Sequence, residues 1–214
     1  MKELVVDHPG FCMMNKIKIE DFIEWSERRK DPELQSRVYG DLTRSLCVCS
    51  GNEFVKVGDL QEWLLENMTK ECITTRKHKQ KQLWLSGVTG CGKSRLVATL
   101  KKFYRGYEVP SDGRWYDDYD EENIDFCYFE EFHGEKTIGW MNQFLEGTTM
   151  KLSRRGRPSV EKRKNMPVIV LSQLPVQSIY NKASGIAVEA LQARVTAIDF
   201  YQPFQMDASR LVLN

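Results

Sequence analysis

Gly87-Val88-Thr89-Gly90-Cys91-Gly92-Lys93-Ser94 satisfies the pattern G-x-x-x-x-G-K-[ST]. The residue types at this spacing have a physical purpose. Glycines let the backbone curl so that several N–H groups point inward at phosphate oxygens. A helix that begins where the loop ends adds the positive end of its dipole to the same anion. Lys93 can then reach the β- and γ-phosphates of a nucleoside triphosphate, and the Ser94 hydroxyl can bind Mg²⁺. Every position from Gly87 to Ser94 is therefore a candidate ATP-binding residue.

Three further segments carry chemistry of their own. Asp125-Phe126-Cys127-Tyr128-Phe129-Glu130-Glu131 reads as an apolar strand ending in two carboxylates. P-loop enzymes place a metal-directing carboxylate at the end of a neighbouring strand. Glu130 is thus expected to act through Mg²⁺ and its bound water, and Glu131 to orient or deprotonate the attacking water. Pro167 to Leu171 reads as a buried strand with Ser172-Gln173 at its end. Ligands of open α/β sheets collect at the carboxyl ends of strands, so Gln173 is a candidate to touch the γ-phosphate or the attacking water. By itself it is a polar loop residue. Lys151-Leu152-Ser153-Arg154-Arg155-Gly156-Arg157-Pro158 sets four cations around a glycine turn, and Lys162, Arg163 and Lys164 follow. Gly156 and Pro158 predict a hairpin or loop tip. Lys151, Arg154, Arg155 and Arg157 suit contact with a phosphate backbone, which asks for charge more than for shape. A basic run alone is ordinarily a solvated loop; its place between the acidic pair and the next strand favours nucleic acid.

The elements that must position these residues follow from periodicity. Gln82 to Ser86 is a short apolar strand, Gly87 to Gly92 a loop, and Ser94 to Tyr104 a helix with Leu96, Val97, Leu100 and Phe103 at helical spacing. Phe126 to Phe129 and Val168 to Leu171 are further strands, and Ile138, Met141 and Leu145 mark a helix between them. Strands alternating with helices predict an α/β fold with a parallel central sheet. Residues 1 to 78 read as mainly helical: Ile19, Phe22, Ile23 and Trp25 predict an amphipathic helix after Lys18, and Asp59 an N-cap before Leu60, Trp63, Leu64 and Met68. Arg76 to Lys81 reads as a linker.

Composition excludes little. The chain has 214 residues, 41% of them hydrophobic and 29% charged, enough for one ordinary domain and a small extra module. No window has the apolar length of a membrane helix, and the first residues lack a signal-peptide core, so an intracellular protein without a membrane partner is expected. The net charge of +1 is silent about nucleic acid, but its distribution is not. Charged residues are all acidic from Tyr116 to Glu135 and nearly all basic from Lys151 to Lys164. The six cysteines form no CxxC pair, and Cys47-x-Cys49 reads as two ordinary thiols rather than a zinc site.

In this order, from about Leu83 to Phe200, the motifs resemble the superfamily 3 helicase domain in replication-associated proteins of small circular single-stranded DNA viruses, circoviruses most nearly. Gly87 to Ser94 is similar to its Walker A, Phe129-Glu130-Glu131-Phe132 to Walker B and Val168 to Gln173 to motif C. Trp115 to Tyr119 resembles an aromatic segment before Walker B. Lys151 to Arg157 sits where the family has its DNA-contacting hairpin, with Arg155 or Lys151 as central cation. Glu189 to Thr196 resembles the segment with the arginine finger, which points to Arg194. The resemblance implies an AAA+-like P-loop ATPase working as a homo-oligomeric, commonly hexameric ring, with ATP and Mg²⁺ between subunits. Arg194 would act on the neighbour's γ-phosphate. Movement would be 3′ to 5′ on single-stranded DNA, in the host nucleus for a circular DNA virus. It implies a helical N-terminal region over 1–78, of which about 50–78 helps close the ring, an ATPase domain over 79–205 and a tail over 206–214. The sequence departs from the family in Glu-Glu for Asp-Asp, in Gln173 for Asn, and in His8, His78 and His133 standing isolated where origin nicking needs a histidine pair. No origin-nicking activity is expected of this chain. An RNA helicase of a small RNA virus, and a nucleotide-binding oligomerisation module with weak or no ATPase, are the competing readings; the Trp115 segment leans toward DNA.

Overall fold

The strand-forming runs around the glycine loop assemble into one sheet. In this computed structural model residues 40–41, 47–50, 53–56, 58–111, 115–200 and 212–213 are described. All lie in one of the chain's two compact units, Val38–Asn214. Five parallel strands form the sheet: β4 (Gln82–Gly87), β5 (Gly106–Glu108), β6 (Phe126–Phe132), β9 (Val168–Ser172) and β10 (Val195–Phe200), in the order β10-β4-β9-β6-β5. Alternate residues of each strand face opposite sides. Leu83, Leu85, Phe126, Tyr128, Ile169 and Leu171 pack with α1 (Gly58–Asn67) and α3 (Lys93–Leu100). Trp84, Cys127, Phe129, Val168 and Val170 pack with α4 (Ile138–Glu146), α5 (Val176–Ile179) and α6 (Gly185–Gln192). Helices thus cover both faces, as a parallel sheet requires. Between α4 and β9, strands β7 (Met150–Arg154) and β8 (Arg157–Lys162) pair as an antiparallel hairpin.

Within the region expected to be mainly helical, the described residues include strands as well. Among the described residues three strands precede α1: β1 (Gly40–Asp41), and the antiparallel pair β2 (Cys47–Ser50) and β3 (Glu53–Lys56). β1 pairs with β11 (Val212–Leu213). The helix predicted after Lys18 lies outside the described residues. Helix α1 begins at Gly58, so Asp59 stands in its first turn rather than at its N-cap. There the carboxylate still meets the positive end of the dipole.

Nor is the basic run after α2 (Lys70–Thr74) a free linker. Leu60, Trp63, Leu64 and Met68 of α1 are buried in the same core as Leu83 and Leu96. Trp63 Nε1 donates to the Lys81 carbonyl at 3.0 Å. The Arg76 guanidinium donates to Asn67 Oδ1, and to Gln82 Oε1 at 2.9 Å. Burial lowers its pKa to about 10. Gln82 Oε1 accepts also from the Val168 N–H, and Gln82 Nε2 donates to the Leu145 carbonyl at 3.2 Å. One buried amide thereby joins the start of β4 to β9 and α4 with its polar atoms satisfied. No helix among the described residues is long and apolar enough to cross a membrane.

Candidate active site

The glycine loop joins the carboxyl end of β4 to the amino end of α3, as its pattern predicts. Gly87 has φ 151°, and a Cβ there would stand 2.4 Å from the Phe200 carbonyl oxygen of β10. Gly92 caps α3 in the left-handed region at φ 109°, with no side-chain hydrogen bond at the cap. The first-turn N–H groups of α3 have no partner within the helix and lie at its positive end. Lys93 bends over the loop and donates to the carbonyls of Gly87 at 2.7 Å and Val88 at 3.0 Å. Cys91 is buried beneath it, 3.4 Å from the ammonium. Val88, Thr89 and Gly90 form the exposed rim of the loop.

Helix α3 is tied to β6 at two levels. Ser94 Oγ donates to Glu130 Oε1. Seven residues on, Lys101 Nζ donates to the Tyr128 hydroxyl at 3.1 Å, which donates to Glu108 Oε2. Tyr128 and Glu130 are alternate residues on one face of β6, so both contacts fall on one line. The Tyr128 hydroxyl pKa is raised chiefly by burial, and the Lys101 pKa chiefly by its hydrogen bond to Tyr128.

Two expectations about the carboxylates need correction. β6 does not end before the pair but runs to Phe132, which is buried against Trp84 with ring centroids 5.6 Å apart. That anchor keeps both glutamates inside the strand, where they form a bulge: Phe129 pairs with Val170 and Phe132 with Ser172. Glu131 adopts φ 47° at this bulge and is exposed. Bulges re-aim side chains in this way near active sites. Nor is β6 the neighbour of β4, because β9 lies between them. Gln173 directly follows β9, exposed at the carboxyl edge between the loop and the carboxylates.

Arg194 is not brought to this site. It follows α6 and precedes β10, whose Val195 pairs with Gln82 and whose Phe200 pairs with Gly87. The six-residue strand that intervenes puts it about 20 Å from the loop at about 3.3 Å per residue, toward the opposite edge of the sheet. There its guanidinium meets Glu146 Oε2 at 3.3 Å.

The predicted hairpin turns at Arg155-Gly156, where Gly156 has φ 62°. The acidic segment before β6 lies along it. The Tyr116 N–H donates to the Ser153 carbonyl at 2.8 Å, the Arg155 N–H to Asp117 Oδ1 at 2.7 Å, and Lys164 pairs with Glu122 at 2.9 Å. Arg154 is turned inward and donates to the Tyr119 carbonyl at 2.5 Å. Of the four cations read as nucleic-acid contacts, Lys151, Arg155 and Arg157 are exposed and Arg154 is not. Sequence reasoning passed over Lys136. It is buried between the rings of Tyr116 and Trp140, 5.3 and 5.1 Å from their centroids, and secures the acidic segment. Cys72, Cys91 and Cys127 are free thiols, and no group of three or more metal-ligating side chains occurs among the described residues.

A parallel sheet with a lysine-bearing glycine loop between β4 and α3 is the α/β fold of P-loop nucleoside triphosphatases. No protein-family model matches the chain, and no curated protein does. Among solved structures it is similar to the JCV helicase, at 17% identity and a TM-score of 0.43 over 61% of this chain and 38% of that one. It is also similar to a candidate primosome component from Streptococcus pyogenes serotype M3, at 13% identity and a TM-score of 0.39 over 61% of this chain and 73% of that one. A third is DnaI, at 16% identity and 0.35 over 61% and 79%. The chain spans about two fifths of the JCV helicase chain it matches.

Proposed function

We propose that this chain is an ATP-driven nucleic-acid motor of superfamily 3 type, moving 3′ to 5′ on single-stranded DNA and working as a ring. The observation that carries the reading is the Ser94–Glu130 contact, which joins the hydroxyl of the phosphate loop to a carboxylate two strands away. A hydroxyl and a carboxylate side by side are the oxygen donors that Mg²⁺ takes. Bound there, Mg²⁺ would neutralise charge developing on the phosphates. Lys93 already lies within hydrogen-bond reach of two loop carbonyls, so an ammonium stands at the mouth of the cradle. In this reading Lys93 and the amides of residues 87–94 hold the triphosphate. Ser94 and Glu130 hold the metal. Glu131 takes a proton from the attacking water, and Gln173 orients that water.

Arg194 can act only on a neighbouring subunit, given its distance from the loop of its own chain. A ring with ATP at each junction satisfies that requirement, and six subunits is the size the family resemblance favours. Lys151, Arg155 and Arg157 form the contact with the strand. The test is ATP-dependent separation of a duplex by the purified chain and by Lys93→Ala, on DNA and on RNA. Separation of DNA by the unaltered chain alone is expected. Equal activity in both proteins overturns the motor reading, and activity on RNA only transfers it to an RNA helicase.

A further inference from the structure

Glu146 closes α4 and gathers cations from two separate parts of the chain. Its Oε2 faces Arg194 Nη2 at 3.3 Å, and its Oε1 faces Lys79 Nζ at 3.2 Å and His78 Nε2 at 3.9 Å. The two ion pairs differ in exposure. The Arg194 and Glu146 side chains are 18% and 20% exposed, whereas Lys79 is 59% exposed. The Arg194 pair is therefore the less screened of the two, although the Lys79 hydrogen bond does most to hold the Glu146 carboxyl below its ordinary range.

Arg194 is fixed by its backbone and only partly satisfied by its side chain. Its carbonyl accepts from the Gln82 N–H at 2.8 Å, and its Nη1 donates to the Ala190 carbonyl at 2.5 Å. Its Nε is buried with no hydrogen-bond partner among the described residues. A guanidinium docked with one donor unmet has something to gain from a second position where an anion accepts from all its donors. Lys79 is equally specific in place. It takes φ 62°, and its N–H donates to the Glu146 carbonyl at 3.2 Å. It sits in the segment that Trp63 and Arg76 bind to α1 and β4.

We infer that Glu146 is a positioning residue for Arg194: it holds the guanidinium against α4, away from a neighbouring subunit, and Lys79 loosens that hold by competing for the same carboxylate. The inference rests on the reading of Arg194 as the residue that acts in trans. It makes the segment before β4 a regulator of hydrolysis, because any shift of α1 that moves Lys79 changes the grip on Arg194.

The test is steady-state ATP turnover by the full chain. Glu146→Gln keeps the shape and removes the charge, so kcat rises by about three- to tenfold while KM for ATP stays constant. In an Arg194→Ala background the same substitution has no further effect. Lys79→Ala removes the competitor and lowers kcat by about two- to threefold, and it carries the test if Glu146→Gln does not fold. A Glu146→Gln protein with unchanged or lower kcat, or with a rise that persists without Arg194, overturns the inference. So does a Lys79→Ala protein as fast as the parent. Arg194→Ala alone separates the two levels. Full turnover in that variant refutes the trans-acting role itself, whereas lost turnover in it, together with an unchanged kcat when Glu146→Gln is made in the otherwise unaltered chain, refutes only the latch.

Discussion

Glu131 is held in a backbone conformation that suits glycine, and replacing it with glycine separates its structural role from the chemical role proposed for it. At φ 47° a side-chain-bearing residue costs about 1–2 kcal/mol relative to an unstrained one. Glycine removes that strain but loses more freedom on folding, which returns about 0.5–1 kcal/mol. The side chain is exposed, so its truncation forfeits little packing. Glu131→Gly is therefore expected to be more stable by about 0.5–1 kcal/mol, a rise in Tm of about 1–4 °C for a domain of this size. ATP turnover should fall by about 10²–10⁴, the usual contribution of a general base. Glu131→Gln keeps the Cβ and the strain, so it should lose turnover to the same extent with Tm unchanged. Calorimetric scans and single-turnover hydrolysis read both quantities. A Tm lowered by glycine would mean that the side chain sustains the bulge. Full turnover in either variant would remove Glu131 from the chemistry.

Other substitutions probe the frame. Gly87→Ala sets a Cβ 2.4 Å from the Phe200 carbonyl and should cost about 2–4 kcal/mol in urea unfolding; an unchanged midpoint would contradict the close approach of the loop to β10. Trp63→Ala should cost about 3–5 kcal/mol and Trp63→Phe about 1 kcal/mol, the latter for the bond to the Lys81 carbonyl, whereas a negligible loss for alanine would detach α1 from the core. Replacing Lys151, Arg155 and Arg157 together by alanine should reduce the slope of log affinity for single-stranded DNA against log salt by about 2. Arg154→Ala should leave that slope alone and lower stability by about 1 kcal/mol, since its partner is the Tyr119 carbonyl rather than solvent.

The features legible in the sequence are those fixed by local pattern. β4 announces itself as an apolar run before a glycine loop, α4 by the spacing of Ile138, Met141 and Leu145, and the hairpin by Gly156 and Pro158 between basic strands. Where neighbours decide, the sequence is silent. β5 has only three residues and exists through pairing with β6. β10 is buried only at its ends, Val195 and Phe200, with half-buried and exposed residues between them. The position of β9 between β4 and β6 is a matter of strand order, which no local window contains. It is nonetheless what sets Gln173 between the loop and the carboxylates. The bulge at Glu130-Glu131 follows from the burial of Phe132, a tertiary event. The inward turn of Arg154 and the pairing of Arg194 with Glu146 likewise depend on partners far away in the chain.

Binding of ATP to the unaltered chain and to Lys93→Ala, measured by titration calorimetry with and without Mg²⁺, tests the phosphate cradle most directly. A charge-assisted hydrogen bond from the Lys93 ammonium is worth about 1.5–3 kcal/mol, so the variant should bind ATP about 10- to 150-fold more weakly, and removal of Mg²⁺ should weaken binding to the parent. Equal affinity in the two proteins, or no binding by the parent, would contradict it.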